Sequence, residues 1–177
     1  MDSLPPAGEQ YHDAARALAR QTPAASHTQI VVTGSSMSPL LRAGDAVFVR
    51  PINGSALRRG DVLIVEDVNG WLTHRLIHAT PAGLLLRGDA LTGADRPVPV
   101  EALVGRVCTI TRGTRQIDLA ARRWQLANRL AGMIGYAHWR MTTNLRATGW
   151  QRLITGGCGR AARLKIQTLM RLTLLFG

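Results

Sequence analysis

The sequence predicts a mainly β domain followed by a basic, α-helical extension. Three observations carry that reading. From Gln29 to about Leu119, short aliphatic and β-branched runs alternate with turns rich in Gly, Asn, Asp and Pro. From about Ile117 the apolar residues recur at spacings of three and four, the period of a helix. The charge divides at nearly the same place. Residues 1–111 carry ten basic and ten acidic side chains, whereas residues 112–177 carry twelve basic ones against Asp118 alone. The net charge of +11 therefore lies in the last third of the chain.

The expected organisation is an N-terminal arm over 1–28, a sheet domain over 29–112 and a basic amphipathic extension over 113–177. In the arm, Ala- and Leu-rich sequence favours a short helix over Tyr11–Arg20, which Thr22-Pro23 ends. The opening Met1-Asp2-Ser3-Leu4-Pro5-Pro6 lacks the basic and apolar regions of a secretory signal, and no apolar stretch is long enough to span a bilayer. The expected location is cytoplasmic or peripheral at a membrane.

Strands are expected at Gln29–Thr33, Ala46–Arg50, Asp61–Glu66, Trp71–Ile77, Gly83–Arg87 and Leu103–Thr111, with a tight hairpin at Val68-Asn69-Gly70-Trp71. Beyond them, Ile117, Ala120, Ala121, Trp124, Ala127, Leu130, Ala131, Ile134, His138, Met141 and Leu145 form one helical stripe. Gly132 and Gly135 weaken its middle. Gly156-Gly157-Cys158-Gly159 reads as an interruption before a second helix over Arg160–Phe176.

Composition narrows the chemistry. Hydrophobic residues make up 46% and charged residues 19%, a globular balance. Aromatics, at 5%, are too few for a single-strand stacking platform. Cys108 and Cys158 alone make neither a disulfide scaffold nor a four-thiolate zinc site. Twenty-one of the 22 basic residues are arginine, and the one lysine, Lys165, lies in the extension. A lysine base inside the sheet domain is therefore excluded.

The most specific stretch is Gly34-Ser35-Ser36-Met37-Ser38-Pro39, followed by Gly44-Asp45. Taken alone it is a Ser-rich polar turn, a common feature. A serine in such a turn after a strand can also present its hydroxyl to a cleft, where a neighbouring base would activate it. Three further stretches follow in order: Arg59-Gly60-Asp61-Val62-Leu63-Ile64-Val65, Thr73-His74-Arg75-Leu76-Ile77, and Leu86-Arg87-Gly88-Asp89 with Asp95-Arg96 and Leu103-Val104-Gly105-Arg106-Val107. This ordered set, over roughly residues 29–112, resembles the boxes of the signal peptidase I family, within the larger signal peptidase/LexA-like group of serine peptidases.

The resemblance implies a β-rich catalytic fold, a peptide or preprotein substrate, cleavage beside small residues such as alanine, and no metal or organic cofactor. It implies Ser36 as nucleophile and His74 as general base, since histidine-type members carry histidine where others carry lysine. Histidine suits the task, with an ordinary pKa of about 6.5. Asp95 matches the third catalytic position and Asp89 a nearby structural Gly-Asp. Pro39 and Asp45 belong to the frame of the nucleophile box, and Ser35 and Met37 to oxyanion or substrate positioning. Read without the family, His74 is a half-buried strand histidine, and the two carboxylates pair with Arg87 or Arg96 in a turn. His78, an even spacing away, rivals His74.

Two departures stand out. Many members carry a hydroxyl residue two positions before the nucleophile, where this chain has Gly34, and the N-terminal membrane anchor is missing from the pattern. Two alternatives are self-cleavage of the LexA-like kind, for which Ala7-Gly8 is the upstream candidate bond, and a degenerate peptidase fold that binds without cutting. The basic extension fits an anionic membrane surface, packing on the sheet or a partner, or, least well, nucleic acid phosphates.

Overall fold

The computed structural model describes residues 28–68, 70–146 and 151–175. The expected helix at Tyr11–Arg20 lies outside them, as does the Ala7-Gly8 bond.

Among the described residues, seven strands form one antiparallel sheet: β1 (Thr28–Val31), β2 (Ala46–Arg50), β3 (Val62–Asp67), β4 (Gly70–Thr80), β5 (Gly83–Arg87), β6 (Leu103–Arg112) and β7 (Arg115–Asp118). The order is β1-β2-β6-β3-β4-β5, with β7 beside the second half of β6. The β3–β4 hairpin pairs Asp67 with Gly70, the tight turn expected from the sequence. Two short 3₁₀ turns, Gly54–Ala56 and Val100–Ala102, complete the connections. Helices α1 (Arg122–Arg146) and α2 (Gln151–Leu175) follow the sheet.

Successive side chains of β3 point to opposite faces of the sheet. Val62 and Ile64 join a core with Met37, Leu40, Leu41, Val47 and Ile110, to which the helices add Trp124, Ala127, Ala131, Ile166 and Met170. Leu63 and Val65 face a second cluster with Leu76, Leu84 and Leu86. The helical stripe is thus largely spent on the sheet, while Leu130 and Met141 stay exposed.

The structure corrects the expected helix boundaries. Ile117, placed in the helical stripe, belongs to β7, and helix begins only at Arg122. The run Gly156–Gly159 does not interrupt anything: α2 continues through it from Gln151. Gly132 and Gly135 likewise leave α1 unbroken. At three of these glycines the reason is close approach. A Cβ on Gly132 would lie 2.6 Å from the backbone nitrogen of Gly60, one on Gly135 2.7 Å from Ile77, and one on Gly159 2.9 Å from the carbonyl of Thr92. Each glycine lets a helix sit against the sheet or its loops, and the packing offsets a helix-propensity cost of about 1 kcal/mol apiece.

Candidate active site

The segment after β1 is pinned at both ends. Val32 donates its N–H to the carbonyl of Asp45 and accepts from the N–H of Gly44, both at 2.8 Å. Gly44, at φ +90°, takes a conformation that suits glycine. Between these ties the chain makes a helical turn, with Ser38 N–H donating to Ser35 and Leu41 N–H to Met37. Met37, Pro39, Leu40 and Leu41 are buried, so the turn is anchored from below while Ser36 is half-buried and Ser35 exposed. Met37, expected with Ser35 to serve oxyanion or substrate positioning, has its side chain buried in the core.

Asp45 locks this turn. Its carboxylate accepts from the Arg42 N–H at 2.8 Å and from Arg112 through Nε at 2.8 Å and Nη2 at 2.7 Å. Arg112 also donates to the carbonyl of Leu40 at 2.8 Å. Burial acts to raise the Asp45 pKa, but the Arg112 hydrogen bonds and the Arg42 N–H outweigh it, so its carboxyl stays below the usual range.

Strand β4 brings His74 to the serine. His74 is buried, with Nε2 2.9 Å from the Ser36 Oγ and Nδ1 2.5 Å from the Asp95 Oδ2. A carboxylate only accepts, so it selects the tautomer with the proton on Nδ1 and leaves Nε2 free to accept the Ser36 hydroxyl proton. Three residues from three separate segments thus form one hydrogen-bonded line. Asp95 is itself placed by its N–H, which donates to the carbonyl of Leu86 at 2.9 Å. The turn at Gly88 closes the site from the other side: Ala90 N–H donates to the carbonyl of Ser36 at 2.8 Å.

The structure sorts the remaining candidates. Asp89 does not touch His74; it is buried against Arg75, which donates from Nε at 2.8 Å and from Nη2 at 2.7 Å. His78 is separated from His74 by a bulge between Leu76 and His78, and its ring meets Tyr136 and Trp139 at centroid distances of 4.9 and 5.9 Å. The even spacing that made it a rival does not survive the bulge. A Cβ on Gly34 would meet nothing within 4 Å.

Several residues that support the site were not singled out from the sequence. Arg75 also donates through Nη1 to the carbonyl of Gly60 at 2.9 Å and to Asn128 Oδ1 of α1 at 2.7 Å. Gln167 of α2 donates to the carbonyl of Ser38 at 3.3 Å. Both helices thus reach the frame of the site. The one sequence signal was an arginine directly before the apolar pair Leu76-Ile77 in a strand, which calls for a buried carboxylate. Behind β5, Arg87 meets His138 Nδ1 at 3.2 Å and donates to the carbonyl of Leu91 at 2.9 Å. Among the described residues no cluster of His, Cys, Asp or Glu is arranged to hold a metal ion.

No family model matches the chain, and no curated protein matches it in sequence. The site is therefore described by its own chemistry, a serine hydroxyl, an imidazole and a carboxylate in hydrogen-bonded series.

Proposed function

We propose that the protein is a serine endopeptidase of the signal peptidase I kind, histidine-type, that cleaves a leader or precursor peptide. The single observation that supports this reading most is the continuous line from Ser36 Oγ through the His74 imidazole to the Asp95 carboxylate. The antiparallel, β-rich sheet and the order of the sequence boxes along it are consistent with the same family.

In this reading His74 Nε2 takes the Ser36 proton as Oγ attacks the substrate carbonyl. The resulting imidazolium is held by Asp95, and the proton passes to the leaving amine as the C–N bond breaks. Water then attacks the acyl-serine, with His74 again as base, and releases the acid product. The backbone N–H of Ser36 is the available oxyanion donor in the nucleophile turn. Gly34 offers no hydroxyl as a second, and one such donor contributes about 3 kcal/mol to the transition state. Slow turnover is expected.

The test is cleavage of a diverse peptide library by the full chain, read by mass spectrometry. Cuts beside small residues that vanish in both Ser36→Ala and His74→Ala would support the reading. Cuts that persist in Ser36→Ala, or none by the wild type, would sink it.

A further inference from the structure

Among the described residues, helices α1 and α2 bury one side on the sheet and leave a second apolar side uncovered. On α1, Leu126, Leu130 and Met133 follow at spacings of four and three and are all exposed, Leu126 at 60%. On α2, Leu164, Leu172 and Leu175 are exposed at 63%, 49% and 76%. Leu126 and Leu130 share a shallow groove of about 340 Å³ with Leu172, and Ala127 and Leu169 also line it. The groove joins the start of α1 to the end of α2, so the helices run antiparallel and their exposed stripes lie side by side.

The charge around these stripes has one sign. From residue 119 onward the chain has ten basic side chains and no acidic one. Arg122, Arg129, Arg163, Lys165 and Arg171 are exposed within a helical turn of the stripe residues. A second copy would meet this face with the same positive charge, which opposes pairing through it. Nucleic acid would satisfy the arginines and leave the leucines in water. One helix of an acidic partner would fill the groove, but the exposed apolar residues run past it to Met133 and Leu164 on one side and Leu175 on the other.

An anionic bilayer satisfies both features: the headgroup–acyl boundary takes leucine and methionine, and the phosphates take the guanidinium groups. We propose that the α1–α2 face docks the protein on an anionic lipid surface, with both helices lying in the plane of the interface. Among the described residues no helix is long and apolar enough to cross a membrane. Because Gln167 of α2 holds the Ser38 carbonyl, docking also sets the orientation of the Ser36 turn to the lipid plane.

The test is sedimentation of the full chain with vesicles of phosphatidylcholine plus phosphatidylglycerol, against phosphatidylcholine alone. Binding to the mixed vesicles only is expected. The double variant Leu126→Gln/Leu172→Gln, unchanged in charge, is expected to bind at least about tenfold more weakly. Insertion has its own readout: Leu126→Trp should show fluorescence quenching by brominated acyl chains beyond that of the wild type. Three results would overturn the proposal. They are absence of binding, binding by the double variant equal to wild type without excess quenching, and a wild-type dimer in sedimentation velocity that the leucine substitutions dissociate.

Discussion

The Cα of Gly88 lies so close to His74 that a Cβ there would stand 2.9 Å from Nε2 and 2.7 Å from the carbonyl oxygen of Ser36. Nε2 is the atom hydrogen-bonded to the Ser36 hydroxyl, so the missing methyl group is what lets the imidazole and the serine meet. Gly88 has no positive φ; the requirement is space. Gly88→Ala is expected to displace the imidazole and lower kcat at least about 100-fold. The overpacking cost to stability should be about 1–3 kcal/mol, leaving the fold intact. Turnover of a cleaved peptide and a denaturant midpoint separate the two effects, and unchanged turnover would remove Gly88 from the site.

Asp95 and Asp89 have different jobs, and substitution should tell them apart. Asp95→Asn keeps the shape but can donate to Nδ1, which favours the tautomer with the proton on Nε2. Turnover near neutral pH is then expected to fall about 10⁴-fold with little change in folding. Asp89→Asn instead weakens the support of a buried arginine. Arg75 and Asp89 are each 1% exposed, so breaking their pair should cost about 3–5 kcal/mol of stability. Thermal unfolding and turnover of the two variants should therefore move in opposite proportion. Equal losses of both in both variants would contradict this division.

How much of this was legible in the sequence depends on how far apart the partners lie along the chain. Strand runs and turn residues are local signals, and Ala46–Arg50 and Gly83–Arg87 emerge with the expected bounds. The hydrogen bonds joining Ser36, His74 and Asp95 connect the residues that the ordered boxes single out. Strand β7 was obscured because Ile117 fits a helical stripe as well as a four-residue strand. The glycines of α1 and α2 misled because propensity treats glycine as a breaker, whereas close approach at Gly132 and Gly159 requires one. The bond from Arg75 to Asn128 spans 53 residues and no periodicity announces it.

Gly34 is the departure most open to repair. A Cβ there would meet nothing within 4 Å, and its φ is not positive, so the backbone accepts a small side chain at this position. If the turn lacks a second oxyanion donor, Gly34→Ser should raise kcat, by up to about 100-fold, without a matching change in KM. Gly34→Ala, which adds the carbon but not the hydroxyl, is the control and should leave kcat near the wild-type value. Equal effects of the two substitutions would assign the change to the backbone and not to a donor.

His138 introduces a pH dependence outside the nucleophile turn. Its Nδ1 faces Arg87 at 3.2 Å, its Nε2 has no hydrogen-bond partner among the described residues, and Gly159 of α2 and the Thr92 segment pack beside it. Burial lowers its pKa and the Arg87 charge lowers it further. Burial also lowers the Arg87 pKa, partly offset by Asp89. The unfolded chain therefore takes up the His138 proton more readily than the folded one, and stability rises with pH between the folded and unfolded pKa values. The stabilisation is full above the ordinary histidine pKa of about 6.5 and is lost as pH falls through the folded value. Arg87 also holds the Leu91 carbonyl, four residues before Asp95. Unfolding curves collected from neutral to mildly acidic pH should show this loss in the wild type and a flatter profile in His138→Gln. Identical slopes for the two proteins would place the acid sensitivity elsewhere.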